Sequence, residues 1–201
     1  MNRKYHSLIL ISFILVVLIS CGGTGGAPGS DTGDTGILIQ SATLARTSPD
    51  IDTVQDCCAV DATTGACVTV EKFTRDDVTL TVTTSNLTPT ITAAQFPASV
   101  EECTITYLKA NADPAAPIIE NLTVYPNCSL SEGTNTCAVT LIDIARKHQY
   151  ADPVFVNHTS IPAERPTHYV AKFSCSYINN FGKAGHFQAE IDLWLSDFDN
   201  C

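Results

Sequence analysis

The sequence predicts an all-β fold, a β-sandwich, on three observations. β-Branched residues recur in alternating runs, clearest where Val78, Leu80 and Val82 interleave with Thr79, Thr81 and Thr83. Gly, Pro, Asn and Asp punctuate about seven such runs, with no helical repeat between them. Charged residues are only 16% and hydrophobic ones 44%, which excludes a disordered acidic tail or a coiled coil.

The N-terminus carries an address rather than a strand. Arg3 and Lys4 precede an apolar run over residues 8–19, too short to stay in a bilayer as a spanning helix, so residues 1–20 read as a signal peptide. Leu18-Ile19-Ser20-Cys21 resembles the lipobox of bacterial lipoproteins. The resemblance implies diacylglycerol on the Cys21 thiol, cleavage before Cys21 and acylation of the new amine by a chain such as palmitate. It also implies membrane attachment through that lipid. Gly22, where an Asp would signal inner-membrane retention, implies sorting to the outer membrane, periplasmic or surface-facing. Residues 21–36 are then the lipidated Cys and a Gly-rich linker, whose flexible reach is roughly 20 Å. Asp31 and Asp34 within it fall short of a calcium ligand set.

Residues 37–201 are read as the folded domain. Residues 37–46 open it as a strand, followed by a Cys-containing excursion over 48–66 and a short strand over 67–73. After the Val78 strand, Cys103, Ile105 and Tyr107 alternate with Thr104 and Thr106, and the prolines of residues 111–117 close that run. Residues 118–125 form the next strand. Residues 136–144 are apolar on both faces, and residues 143–150 turn into a short helix. The final hairpin is the clearest unit, with Tyr169, Ala171, Phe173, Cys175 and Tyr177 facing Phe187, Ala189, Ile191, Leu193 and Leu195. Placing Lys172 opposite Asp192 pairs Phe173 with Ile191 and centres the turn on Gly182, flanked by Asn180 and Lys183. That register sets Trp194 beside Val170 and His186 opposite Ile178.

Tyr169-Val-Ala-Lys-Phe173-Ser-Cys175, behind the Pro-containing loop 161–166, resembles the penultimate strand of immunoglobulin-like and fibronectin type III-like domains. With the tail Ser196-Asp197-Phe198-Asp199 it is also similar to a group of small bacterial lipoproteins that end in such a hairpin. The resemblance implies a single sandwich of that type and an envelope compartment, with no activity to inherit.

Nine cysteines are present, and assigning Cys21 to lipid leaves an even number behind an export signal, so disulfides are expected. No Cys-x-x-Cys occurs, which removes zinc knuckles and thioredoxin chemistry. Cys128 and Cys137 flank a polar loop and can close it. Cys57 and Cys58 are adjacent, so one takes Cys67 and the other a distant partner. Cys103 and Cys175 lie on inward rows of strands that adjoin in such sandwiches, which leaves Cys201 for the remaining member of the 57/58 pair.

A net charge of −10 repels phosphate backbones, so no nucleic-acid partner is expected. His148, His158, His168 and His186 are too far apart for a metal pair, and no nucleophile elbow, phosphate-cradling loop or zinc-helix motif occurs. No cofactor or metal is expected. The sequons at Asn86, Asn121, Asn127 and Asn157 fall outside a glycosylating route if the lipobox is used. Trp194 faces away from the apolar row of its strand and is the candidate contact for an envelope protein or glycan. The expected function is a structural or binding module of the cell envelope. The alternative is an envelope enzyme or a redox or metal-binding accessory built on the Cys57-Cys58 loop, its acids Asp50, Asp52, Asp56 and Asp61, and His148 or His168.

Overall fold

The structure is a computed structural model that describes residues 27, 30–31, 34–87 and 95–198. The signal peptide, Cys21, most of the linker and Cys201 lie outside the described residues. Eleven strands follow in order: β1 (Ile37–Ala45), β2 (Asp50–Asp52), β3 (Cys57–Val60), β4 (Cys67–Val70), β5 (Asp76–Asn86), β6 (Ala98–Lys109), β7 (Leu122–Val124), β8 (Cys128–Leu130), β9 (Gly133–Ile142), β10 (Thr167–Ile178) and β11 (Ala184–Ser196). Among the described residues one helix, α1 (Ile144–Ala151), leads into a single π-helical turn, Asp152–Val156. The fold is all-β and stapled by disulfides.

The larger sheet runs β2-β11-β10-β6-β7, with β8 also paired to β6; the smaller runs β1-β5-β9, and β3-β4 stand apart as a two-stranded hairpin. The period-two pattern decides which side chains meet between the sheets. Val78, Leu80 and Val82 of β5 and Val139 and Leu141 of β9 share one core with Ile105, Tyr107, Phe173 and Leu193 from the facing sheet. The threonines that alternate with them face outward, and rows such as Thr43, Thr81 and Thr136 lie side by side across three strands.

Burial of large tyrosines would strand their hydroxyls, and each is answered by another element. Tyr107 donates to the carbonyl of Leu141 at 2.7 Å and Tyr169 to that of Pro117 at 2.8 Å. Tyr150 meets the Thr167 hydroxyl at 2.7 Å, and Tyr177 meets that of Thr35 at 3.1 Å. Asp143 begins α1, its carboxylate accepting from the Arg146 N–H at 2.9 Å as an N-cap.

Three expectations need correcting. The last hairpin keeps its predicted faces, but Lys172 stands opposite Glu190 and Phe173 opposite Ala189, a slip of two residues that moves Trp194 opposite His168 and His186 opposite Ser176. The turn is the reason. Asn179 is buried, and its side-chain oxygen accepts from the N–H groups of Phe181 and Lys183 at 2.9 and 2.8 Å, fixing a loop centred on Phe181. Gly182 does adopt a positive φ of 74° within it. Second, the strand expected over 118–125 is confined to Leu122–Val124. Third, the excursion over 48–66 holds strands β2 and β3, and β2 pairs in parallel with the end of β11.

Candidate functional site

Disulfides fix the scaffold around the site. Cys57 bonds Cys67, Cys128 bonds Cys137 and Cys103 bonds Cys175. Cys58 is disulfide-bonded as well; Cys201, the partner expected for it, lies outside the described residues. Adjacent Cys57 and Cys58 are therefore not bridged to each other. Cys103 and Cys175 are directly opposed on the neighbouring strands β6 and β10 and fully buried. Their bridge lies within one sheet, whereas in antibody domains the conserved bridge crosses between sheets.

Trp194 and His168 occupy facing positions on β11 and β10, on the outer side of the larger sheet. Their rings stack with centroids 4.4 Å apart and planes 4° apart. His168 Nε2 lies 2.8 Å from Asp192 Oδ1, which holds the imidazole face-to-face over the indole. Trp194 is thus half-buried, with one ring face taken by His168. His168 also walls a cavity of about 410 Å³ whose polar lining includes Lys109, Asn111, Asp113 and Glu164. That wall is prebuilt. Asp113 accepts from the N–H groups of Ala115 and Ala163, each at 2.8 Å, and these hydrogen bonds hold its carboxyl below the usual range. Asn111 donates to Glu164 at 3.2 Å. The arrangement offers a fixed aromatic surface beside hydrogen-bonding groups of both signs, the makings of a recognition site.

The acidic loop resolves into separate jobs. Asp61 caps the β3-β4 turn, accepting from the Thr64 N–H and hydroxyl and the Thr63 N–H, which holds its pKa below the ordinary carboxylate value. Asp52 accepts from the N–H groups of Val54 and Phe198, both at 3.2 Å. Asp50 and Asp52 line a second cavity, of about 440 Å³, with Arg46, Lys72, Asp76 and Lys147. There Asp76 is held by two cations, Arg46 and Lys147, the latter with its Nζ at 2.8 Å and only 4% exposed. Lys147 also lies over the Phe73 ring, 4.7 Å from its centroid.

Sequence reasoning missed Arg46, Asp76 and Lys147 as a group. One signal was present: Lys147, Tyr150 and Ala151 follow a helical i, i+3, i+4 spacing, which puts the lysine on the stripe that α1 buries. His148 meets Phe73 edge to face, centroids 5.7 Å apart, and neither it nor His158 lines these two cavities. Among the described residues no three His, Cys, Asp or Glu side chains gather as a metal site, and no helix is long and apolar enough to cross a membrane.

The fold and site define a disulfide-stapled all-β protein with a fixed aromatic pair beside a polar cavity. Compared with known proteins, the chain matches no family model, no curated protein and no solved structure.

Proposed function

We propose that the chain is a lipid-anchored module of the bacterial cell envelope that works by binding, using the Trp194 face of its larger sheet to hold an envelope protein or a glycan. The observation that carries the reading is the His168-Trp194 stack, locked by Asp192 at the rim of a preformed polar cavity. Rigid aromatic surface beside fixed donors and acceptors recognises a partner at low entropic cost. The extracytoplasmic setting is supported by the bonding of every described cysteine, the state favoured in an oxidising compartment. A sandwich of the immunoglobulin-like or fibronectin type III-like kind remains the fold family proposed from the last hairpin.

Two measurements test this. Cys21→Ala should move the protein out of the membrane fraction and leave it without a lipid mass; a wild type found cleaved yet unlipidated removes the anchor. In-cell crosslinking of the membrane-bound chain should capture one protein or glycan, lost in Trp194→Ala while the melting temperature is kept. Absence of any specific capture, together with turnover of a substrate that depends on a His or Cys, replaces binding with catalysis.

A further inference from the structure

β1 and β11 belong to different sheets but border the same side of the sandwich. Among the described residues no strand pairs with that side of β11 ahead of Trp194, where β2 begins. The stretch leading into β1 covers the open edge. The Ala27 N–H donates to the Ile39 carbonyl of β1 at 2.7 Å, and the Ser30 N–H and hydroxyl donate back to the Ala27 carbonyl at 3.0 and 2.6 Å. Asp31 then forms an antiparallel bridge with His186 of β11: its N–H donates to the His186 carbonyl at 2.9 Å, and its carbonyl accepts from the His186 N–H at 3.1 Å. Thr35 is 1% exposed, with its hydroxyl on that of Tyr177 and its carbonyl accepting from Asn179 Nδ2 at 2.8 Å. Gly36, at a φ of 69° that favours glycine, accepts from the Leu87 N–H at 2.9 Å.

These contacts tie the smaller sheet to the larger and limit how far Cys21 can stand from the fold. From Cys21 to Ala27 is six residues, about 20 Å of fully extended chain, against about 55 Å if the chain were loose as far as Ile37. A cavity of about 630 Å³ opens on this side, beside Ala27, with Gln40, Lys172, Gln188 and Glu190 in its polar lining. Lys172 stands opposite Glu190, so that lining brings no net charge to a lipid surface.

We propose that Ala27, Asp31, Thr35 and Gly36 form a docked strap that turns the β1-β11 side of the sandwich toward the lipid surface, with Ala27 held within about 20 Å of the acylated Cys21. The inference rests on the lipid anchor proposed above and adds an orientation to it. The two sheets then stand edge-on to the membrane. The outer face of the larger sheet, which carries His168 and Trp194, is left open sideways to a partner.

The test uses the full lipidated chain in nanodiscs of phosphatidylethanolamine and phosphatidylglycerol, a fraction of which carry a nitroxide headgroup. The amide signals of Gln40 and Gln188 should broaden several-fold more than those of Thr123 in β7 and Ala138 in β9, at the opposite borders of the two sheets. Amide exchange reads the strap itself: the Ala27 and Asp31 N–H groups should exchange at least about ten-fold slower than their intrinsic rates. Ala27→Pro combined with Asp31→Pro removes both donors, and should speed exchange at His186 by about ten-fold and even out the broadening while the β6 amides stay protected. The two wild-type readings decide even where that variant unfolds. A wild type without lipid mass removes the anchor, and the orientation with it. A lipidated wild type whose Ala27 and Asp31 amides exchange at intrinsic rates, or whose two borders broaden equally, overturns the strap and leaves the anchor standing.

Discussion

At Gly185 a single missing carbon holds the end of the core together. The residue faces Tyr177 across β10 and β11, and a Cβ placed there would lie 2.5 Å from the tyrosine ring and hydroxyl. The ring needs that space to carry its hydroxyl to Thr35. Gly185→Ala should therefore cost about 1–3 kcal/mol, read as a lower denaturation midpoint with an unchanged slope. The buried phenols make a second demand. Tyr107, Tyr150, Tyr169 and Tyr177 are all raised above the ordinary tyrosine value, chiefly by burial. Groups raised in this way lend their full stability below the unfolded value of about 10, and that stability drains away as pH climbs through the folded values. Alkaline unfolding should start above about pH 10, with these rings ionising only as the chain unfolds.

Strands announced themselves in the sequence in proportion to their length. β5, β6, β10 and β11 each carry enough alternation to reveal their buried face, and those faces are the observed ones. β2, β7 and β8 have three residues each, too few for any period, and exist because a longer neighbour offers them an edge. Register was less legible than face. Charge pairing could not choose between two alignments, since Lys172 meets an acid in both, Asp192 in one and Glu190 in the other, for a pair worth about 0.2–1 kcal/mol. Asn179 makes the choice. Its oxygen takes two N–H groups of the turn, and its Nδ2 donates to the Thr35 carbonyl at 2.8 Å. Asn179→Ala should cost about 1–3 kcal/mol and raise the exchange of the Phe181 and Lys183 amides first. The half-cover on Trp194 was equally hidden, because it comes from His168, which the shifted alignment alone places opposite.

Across the whole molecule, cysteine parity was the most informative signal. It pointed to bridges, and loop closure and strand adjacency then identified Cys128-Cys137 and Cys103-Cys175. The central bridge also determines how the protein behaves as a mechanical link. Cys103 and Cys175 are 72 residues apart, and Cys128-Cys137 is nested between them. Tension applied through handles at Ser99 and Ile178, just outside the pair, passes across the Cys103-Cys175 sulfurs and skips everything in between. At about 3.4 Å per extended residue, roughly 240 Å of contour stays slack however hard the rest is stretched. Single-molecule pulling should find the unfolded chain short by that length, and a reductant should return it in one step.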